Sequence, residues 1–255
     1  MRHRLWLLLV LLLALVACQG DEKPAPPTTP PVTPSNPAEE AAGVELVPLT
    51  PGLKTRSGLT ILAQRDGIQE GTAYFFAEVR NDSGQFLSSV DAVIYPLDKD
   101  NVKLDQVSAA PLLRDIPPGQ TFYVGAAYTP PDGYVDSQRW LWYESAEQPT
   151  YRGHFGLPAT IESKGIDPNG VYVVSGTAQN TTNADLYWPL VDVALIGPDD
   201  DLVGLAHAAV STDREGVWPA GTVARFTATF RFVAVPPELV TEARVLAAGY
   251  EAPGG

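Results

Sequence analysis

The chain has 255 residues, 45% of them hydrophobic, and its 30 Asp and Glu against 17 Lys and Arg leave a formal charge of −13. That length and apolar content suit one or two domains with real cores. The charge argues against DNA, RNA or anionic lipid headgroups as partners, because an acidic surface repels phosphate.

The first segment is an export signal. Arg2 and Arg4 precede the unbroken apolar run Leu5–Val16, and small Ala17 then precedes Cys18. The run falls short of the ~20 residues that span a bilayer comfortably. Leu15-Val16-Ala17-Cys18 resembles the bacterial lipobox. That resemblance implies a signal peptide over 1–17, cleavage before Cys18 and lipidation of the Cys18 thiol. It places the protein outside the cytoplasm, tethered to a membrane through its N-terminal lipid. The alternative is a chance cysteine after an ordinary signal peptide, which also exports the chain. Cys18 is the single cysteine, so no disulfide or thiolate metal site can form within one chain.

Residues 18–43 read as a Pro-rich linker. Pro24, Pro26, Pro27, Pro30, Pro31, Pro34 and Pro37 alternate with small and polar residues. Such a segment has little to bury and favours extended polyproline II. It would lift the folded part roughly 45–60 Å off the membrane as a semi-rigid stalk. Use as a Pro-rich ligand is the second reading.

From residue 44 onward the pattern becomes β. Short runs of Val, Ile, Tyr, Phe and Thr are broken by Gly, Pro, Asn and Asp. The strands expected are 59–64, 72–81, 88–95, 102–109, 120–128 and 139–145, then 159–163, 170–180, 189–196, 202–210, 222–232 and 242–250. No long amphipathic helix is expected, and 236–240 supplies at most one helical turn. The two series are copies. Glu78-Val79-Arg80-Asn81 is answered by Thr177-Ala178-Gln179-Asn180, and Val90-Asp91-Ala92-Val93-Ile94 by Val191-Asp192-Val193-Ala194-Leu195. Asp98-Lys99-Asp100 falls on Asp199-Asp200-Asp201, and Pro118-Gly119 on Ala220-Gly221. A period of ~100 residues with many strands per copy signals sandwiches, not a solenoid. The expected fold is all-β: two tandem Ig-like antiparallel β-sandwich domains, over 44–148 and 149–255, after the signal peptide and linker.

Each copy resembles the FxLYD domain, a small Ig-like sandwich of bacterial and archaeal envelope proteins. The resemblance rests on the Asn after the second strand, the Val-x-Val strand, Tyr95-Pro96-Leu97-Asp98, and Pro117-Pro118-Gly119 before an aromatic strand. The second copy carries Leu195-Ile196-Gly197-Pro198-Asp199 and lacks the Tyr. The resemblance implies an envelope protein and brings no catalytic residue.

Chemistry is sparse. His3 leaves with the signal, and His154 and His207 lie in different copies without metal-ligand or triad spacing. No nucleophile elbow or phosphate loop occurs. The acidic turns offer Asp98 and Asp100, and Asp199 and Asp201, either as calcium ligands or as hairpin turns in which Asp bonds its own backbone. Asp91 and Asp192 are expected to point away from the Val/Ile face into solvent. Trp140 and Trp142 share one strand face, and Tyr187 and Trp188 lie near a loop. Exposed, these aromatics could stack on sugars or anchor a protein; buried, they are core. Asn81-Asp82-Ser83 and Asn180-Thr181-Thr182 match glycosylation sequons but sit at the repeated turn. The leading expectation is a non-enzymatic envelope lipoprotein that binds a protein partner, with no cofactor beyond the calcium alternative. A carbohydrate-binding module is the second reading, and a hydrolase using paired carboxylates the third.

Overall fold

The computed structural model describes residues 46–50, 53–109, 111–231 and 235–252. Cys18, the signal segment and the Pro-rich stretch lie outside the described residues. The first copy supplies β1 (Leu46–Thr50), β2 (Leu53–Arg56), β3 (Leu59–Gln69), β4 (Thr72–Asn81), β5 (Phe86–Leu97), β6 (Val107–Ala109), β7 (Thr121–Tyr128) and β8 (Asp136–Ala146). The second supplies β9 (Gly153–Leu157), β10 (Ala159–Ile166), β11 (Tyr172–Gln179), β12 (Leu186–Ile196), β13 (Leu202–Ala209), β14 (Val217–Trp218), β15 (Val223–Phe230) and β16 (Glu242–Tyr250). The helical elements among the described residues are single 3-10 turns at Pro198–Asp200 and Pro237–Leu239. The fold is therefore all-β.

The strands form four sheets. A first outer sheet runs β1-β2-β8-β5-β6, and a first inner sheet runs β3-β4-β7. A second inner sheet runs β13-β12-β16-β9, with β14 attached to β12, and a second outer sheet runs β10-β11-β15. Apart from the parallel β2–β8 pair, every ladder is antiparallel. Alternation explains the layering. On β4, Phe75, Ala77 and Val79 face the first outer sheet, where Val90, Ala92, Ile94 and Leu141 meet them. On β12, Val191, Val193 and Leu195 face the second outer sheet with Val174, Phe226 and Ala228.

The opposite faces of β4 and β12 are buried too, against each other. Tyr74, Phe76 and Tyr123 of the first inner sheet share one hydrophobic cluster with Leu190, Ala194, Ile196, Leu205, Leu246 and Ala248 of the second. Each large apolar side chain buried there stabilises by about 1.5–3 kcal/mol. Left to water they would form an apolar patch of a kind that monomeric domains rarely expose. Gly125 marks the closeness of the approach: a Cβ there would lie 3.0 Å from Leu205 Cδ2 and 2.7 Å from Phe76 Cδ1. Val44–Gly255 accordingly forms one compact unit, two sheet pairs joined by a common core.

Most expected strands are present, 72–81 and 242–250 with the expected limits. The expected strand 102–109 shrinks to Val107–Ala109, because Asp98 bonds into a turn that takes up the preceding residues. β1, β2, β9 and β14 were not expected from the sequence. Their segments are short or Gly- and Pro-flanked, and pairing with β8, β12 and β16 makes them strands.

Candidate functional site

The repeated Asn residues are structural. Asn81 and Asn180 are fully buried. The Asn81 amide donates to the carbonyls of Gln85 and Ile116, and its Oδ1 accepts from the Ser83 N–H and hydroxyl. The Asn180 amide donates to Ala184, Trp218 and Pro219 carbonyls, and its Oδ1 accepts from the Thr182 N–H and hydroxyl. The sequon hydroxyl thus closes the turn in both copies, and the amide that a glycan would need is buried.

The two acidic turns differ: the first bonds its own backbone through Asp98, and the second pairs with an arginine. Asp98 Oδ1 accepts from the N–H groups of Asp100 and Val102, both at 2.8 Å. Asp199 and Asp200 both take left-handed backbone angles, φ 62°, and Asp200 pairs with Arg244 at 2.8 Å. Asp98 and Asp100 lie between β5 and β6, whereas Asp199 and Asp201 lie between β12 and β13, so the two pairs belong to different sheets. Among the described residues no group of three or more His, Cys, Asp or Glu side chains is gathered for a metal.

The aromatic candidates separate. Trp140 and Trp142 share the outward face of β8 and are half-buried, while Arg139 and Leu141 point inward. Tyr187 is half-buried. Trp188 is the exposed one, with 55% of its surface open. It sits in a bulge of β12 between Tyr187 and Leu190, at φ +49°. A left-handed Trp is uncommon, and it persists only when its surroundings hold it. Here the Trp188 N–H donates to the Gly216 carbonyl, and its ring meets Tyr151 edge-on at 5.3 Å and Tyr250 at 6.3 Å. Phe155 packs edge-on against Tyr250 at 5.9 Å. Gly153 makes room for this cluster, since a Cβ there would lie 2.5 Å from the Phe155 ring.

Tyr250 also ties the copies together. Its hydroxyl donates to the Arg114 carbonyl and accepts from the Arg114 N–H. Burial is the main cause that pushes its phenol up to about 12. Beside it, the buried Asp115 accepts from the Tyr151 N–H. No local pattern marks this junction, because Tyr151 and Arg114 acquire their roles only when the copies stack.

Asp192 corrects an expectation. Asp91 is exposed as expected, but Asp192 is fully buried and accepts a 2.6 Å bond from His207 Nδ1. The cause is the stacking, which covers the outer face of β12 and leaves that of β5 open. Desolvation pulls the His207 pKa down, but the hydrogen bond and charge of Asp192 outweigh it, so the imidazole titrates above its ordinary value. His154 Nε2 meets Glu251 at 2.8 Å. Arg244 reaches the buried Glu78 of the other copy at 3.5 Å. His154 and His207 are thus each paired with a carboxylate, in separate places.

The chain matches no family model and no curated protein. Among solved structures it is similar to the C-terminal globular domain of an oligosaccharyltransferase from Pyrococcus abyssi, at 9% identity and a TM-score of 0.23. That match covers 77% of this chain and 48% of the other, so the chain spans about half the length of that domain. It is also similar to infectious bursal disease virus, Gx strain, at 11% identity and a TM-score of 0.15, over 77% of this chain and 67% of the other. Likenesses at these scores carry no functional argument, and the residues around Trp188 stand on their own geometry.

Proposed function

We propose that the chain is a lipid-anchored, extracytoplasmic protein of the bacterial envelope, without catalytic activity, that holds a partner protein through Trp188. Each copy is read as an Ig-like sandwich of the FxLYD kind, raised from the membrane by the Pro-rich segment behind Cys18. The observation that carries the reading is the exposed indole of Trp188, fixed at φ +49° against Tyr151 and Tyr250. An exposed, rigid Trp loses little entropy on binding and supplies a large contact area, which is why such residues anchor interfaces.

The test places a photo-crosslinking amino acid at the exposed Arg152 in intact cells. A discrete protein adduct that disappears with Trp188→Ala and with Cys18→Ala supports the reading. An adduct that is indifferent to Trp188→Ala removes it. A glycan reading rests on the same indole, because an open aromatic face also stacks on sugar rings. Quenching of Trp fluorescence by purified cell-wall glycan, lost in Trp188→Ala, would favour that alternative.

A further inference from the structure

We infer that a second site lies where the copies meet along the free edge of β3, and that it takes an extended peptide bearing a basic side chain. It rests on observations independent of Trp188. A cleft of about 560 Å³ opens there, with Gln64, Arg65 and Asp66 on one side and Asp199, Asp201 and Leu239 on the other. Side chains of a strand alternate between faces. Three consecutive β3 residues can line one cleft only if it runs along the backbone edge and not over a face.

That edge is open to strand addition. β3 is the outermost strand of its sheet and pairs with β4 alone. It is 11 residues long and contains neither Lys nor Pro, and its charged residues Arg65 and Asp66 are drawn to Tyr74 and Arg139. Its bulge between Ile61 and Ala63 interrupts one end only. Leu62 and Ile68 on β3 and Leu239 across the cleft are exposed apolar residues, suited to alternate side chains of an added strand.

Charge selects the occupant. Asp66 is already neutralised by the buried Arg139. Arg65 leans on Tyr74, its Nε donating to the phenol oxygen at 3.3 Å. Asp199 and Asp201 are exposed on the opposite wall, and neither forms an ion pair among the described residues. The cleft therefore presents two carboxylates against one guanidinium, and a Lys or Arg of the peptide meets them.

The experiment selects random heptapeptides displayed on phage against the full chain in detergent. Enriched peptides are then measured by fluorescence anisotropy and by amide exchange. The expected result is enrichment of Lys or Arg over Asp or Glu, with slower exchange of the amides at 63–69. Asp199→Asn with Asp201→Asn, both on an exposed turn, should weaken binding roughly fivefold, and added salt should weaken it further. Trp188→Ala should leave it unchanged, which separates failure here from failure of the Trp188 reading. The inference is overturned by the absence of enriched peptides, by peptides without a basic residue, or by binding that requires Trp188. Self-association that protects 63–69 without any peptide would overturn it too, by making a second copy the occupant.

Discussion

Replacing Asn180 by Ala tests how tightly the two copies are coupled. The side chain is fully buried and makes five hydrogen bonds, three as donor to carbonyls and two as acceptor. The Ala184 carbonyl keeps a bond from the Thr182 hydroxyl, whereas the Trp218 carbonyl faces the interior. A buried polar group left unmatched costs about 1–3 kcal/mol, and each lost net bond about 0.5–1.5 kcal/mol. The sum expected for Asn180→Ala is about 3–5 kcal/mol, a fall in Tm of roughly 10 °C for a unit of this size. The assay is denaturant unfolding followed by near-ultraviolet circular dichroism and by Trp fluorescence. Trp140 and Trp142 report on the first copy, and Trp188 and Trp218 on the second. The shared core requires one transition that moves as a whole. A variant in which the second copy melts early while the first keeps its midpoint would refute the coupling. A loss below about 1 kcal/mol would refute the account of the turn.

Two other perturbations read the interface. Because the folded pKa of His207 lies above its ordinary value, the His207–Asp192 pair stabilises fully below about pH 6.5 and loses that contribution as pH rises through the raised value. Unfolding free energies of wild type and His207→Gln between pH 5 and 9 should therefore converge toward the alkaline end; a difference that grows with pH would reverse the argument. Tyr250→Phe removes both bonds to Arg114 and should cost about 1–3 kcal/mol, measured by denaturant midpoint. Ultraviolet titration of the same variant should lose a phenol that ionises near pH 12.

The sequence made the strands legible because one face of most of them is buried and the other is wet, so alternation is printed in the residues. β15 shows this best, exposed at Val223, Arg225 and Thr227 and buried at Ala224, Phe226 and Ala228. The repeated Asn turns were legible for a related reason, since both copies keep a hydroxyl two residues on. β12 was misread in part. Seven of its last eight residues are apolar, and that run alone does not say which face meets which neighbour. Asp192 sits in the run as the one polar residue, and its burial depends on a sheet supplied from ~115 residues upstream by β4. Trp188 was picked out by its place near a loop, but its left-handed backbone and its contact with Tyr151 are tertiary facts with no local signal.

Some positions at which the copies agree hold the fold, such as Asn81 with Asn180. The copies can also agree in residue and differ in setting. Asp91 and Asp192 occupy equivalent sites with the same residue, yet one is solvated and the other buried against His207. The stacking of the copies makes the difference, because it covers one sheet face and not its counterpart. It also creates surfaces that neither copy holds alone. Trp188 is braced by Tyr151, whose N–H is held by Asp115 of the first copy, and Asp199 faces β3 of the other copy across the cleft. A change that loosens the stacking should therefore disable both surfaces together, even at a residue remote from each. Leu205→Ala is such a change: it leaves a cavity against Gly125 and should cost about 2–5 kcal/mol. If crosslinking through Arg152 and peptide binding along β3 both survive it with undiminished strength in the folded protein, the surfaces do not depend on the shared core.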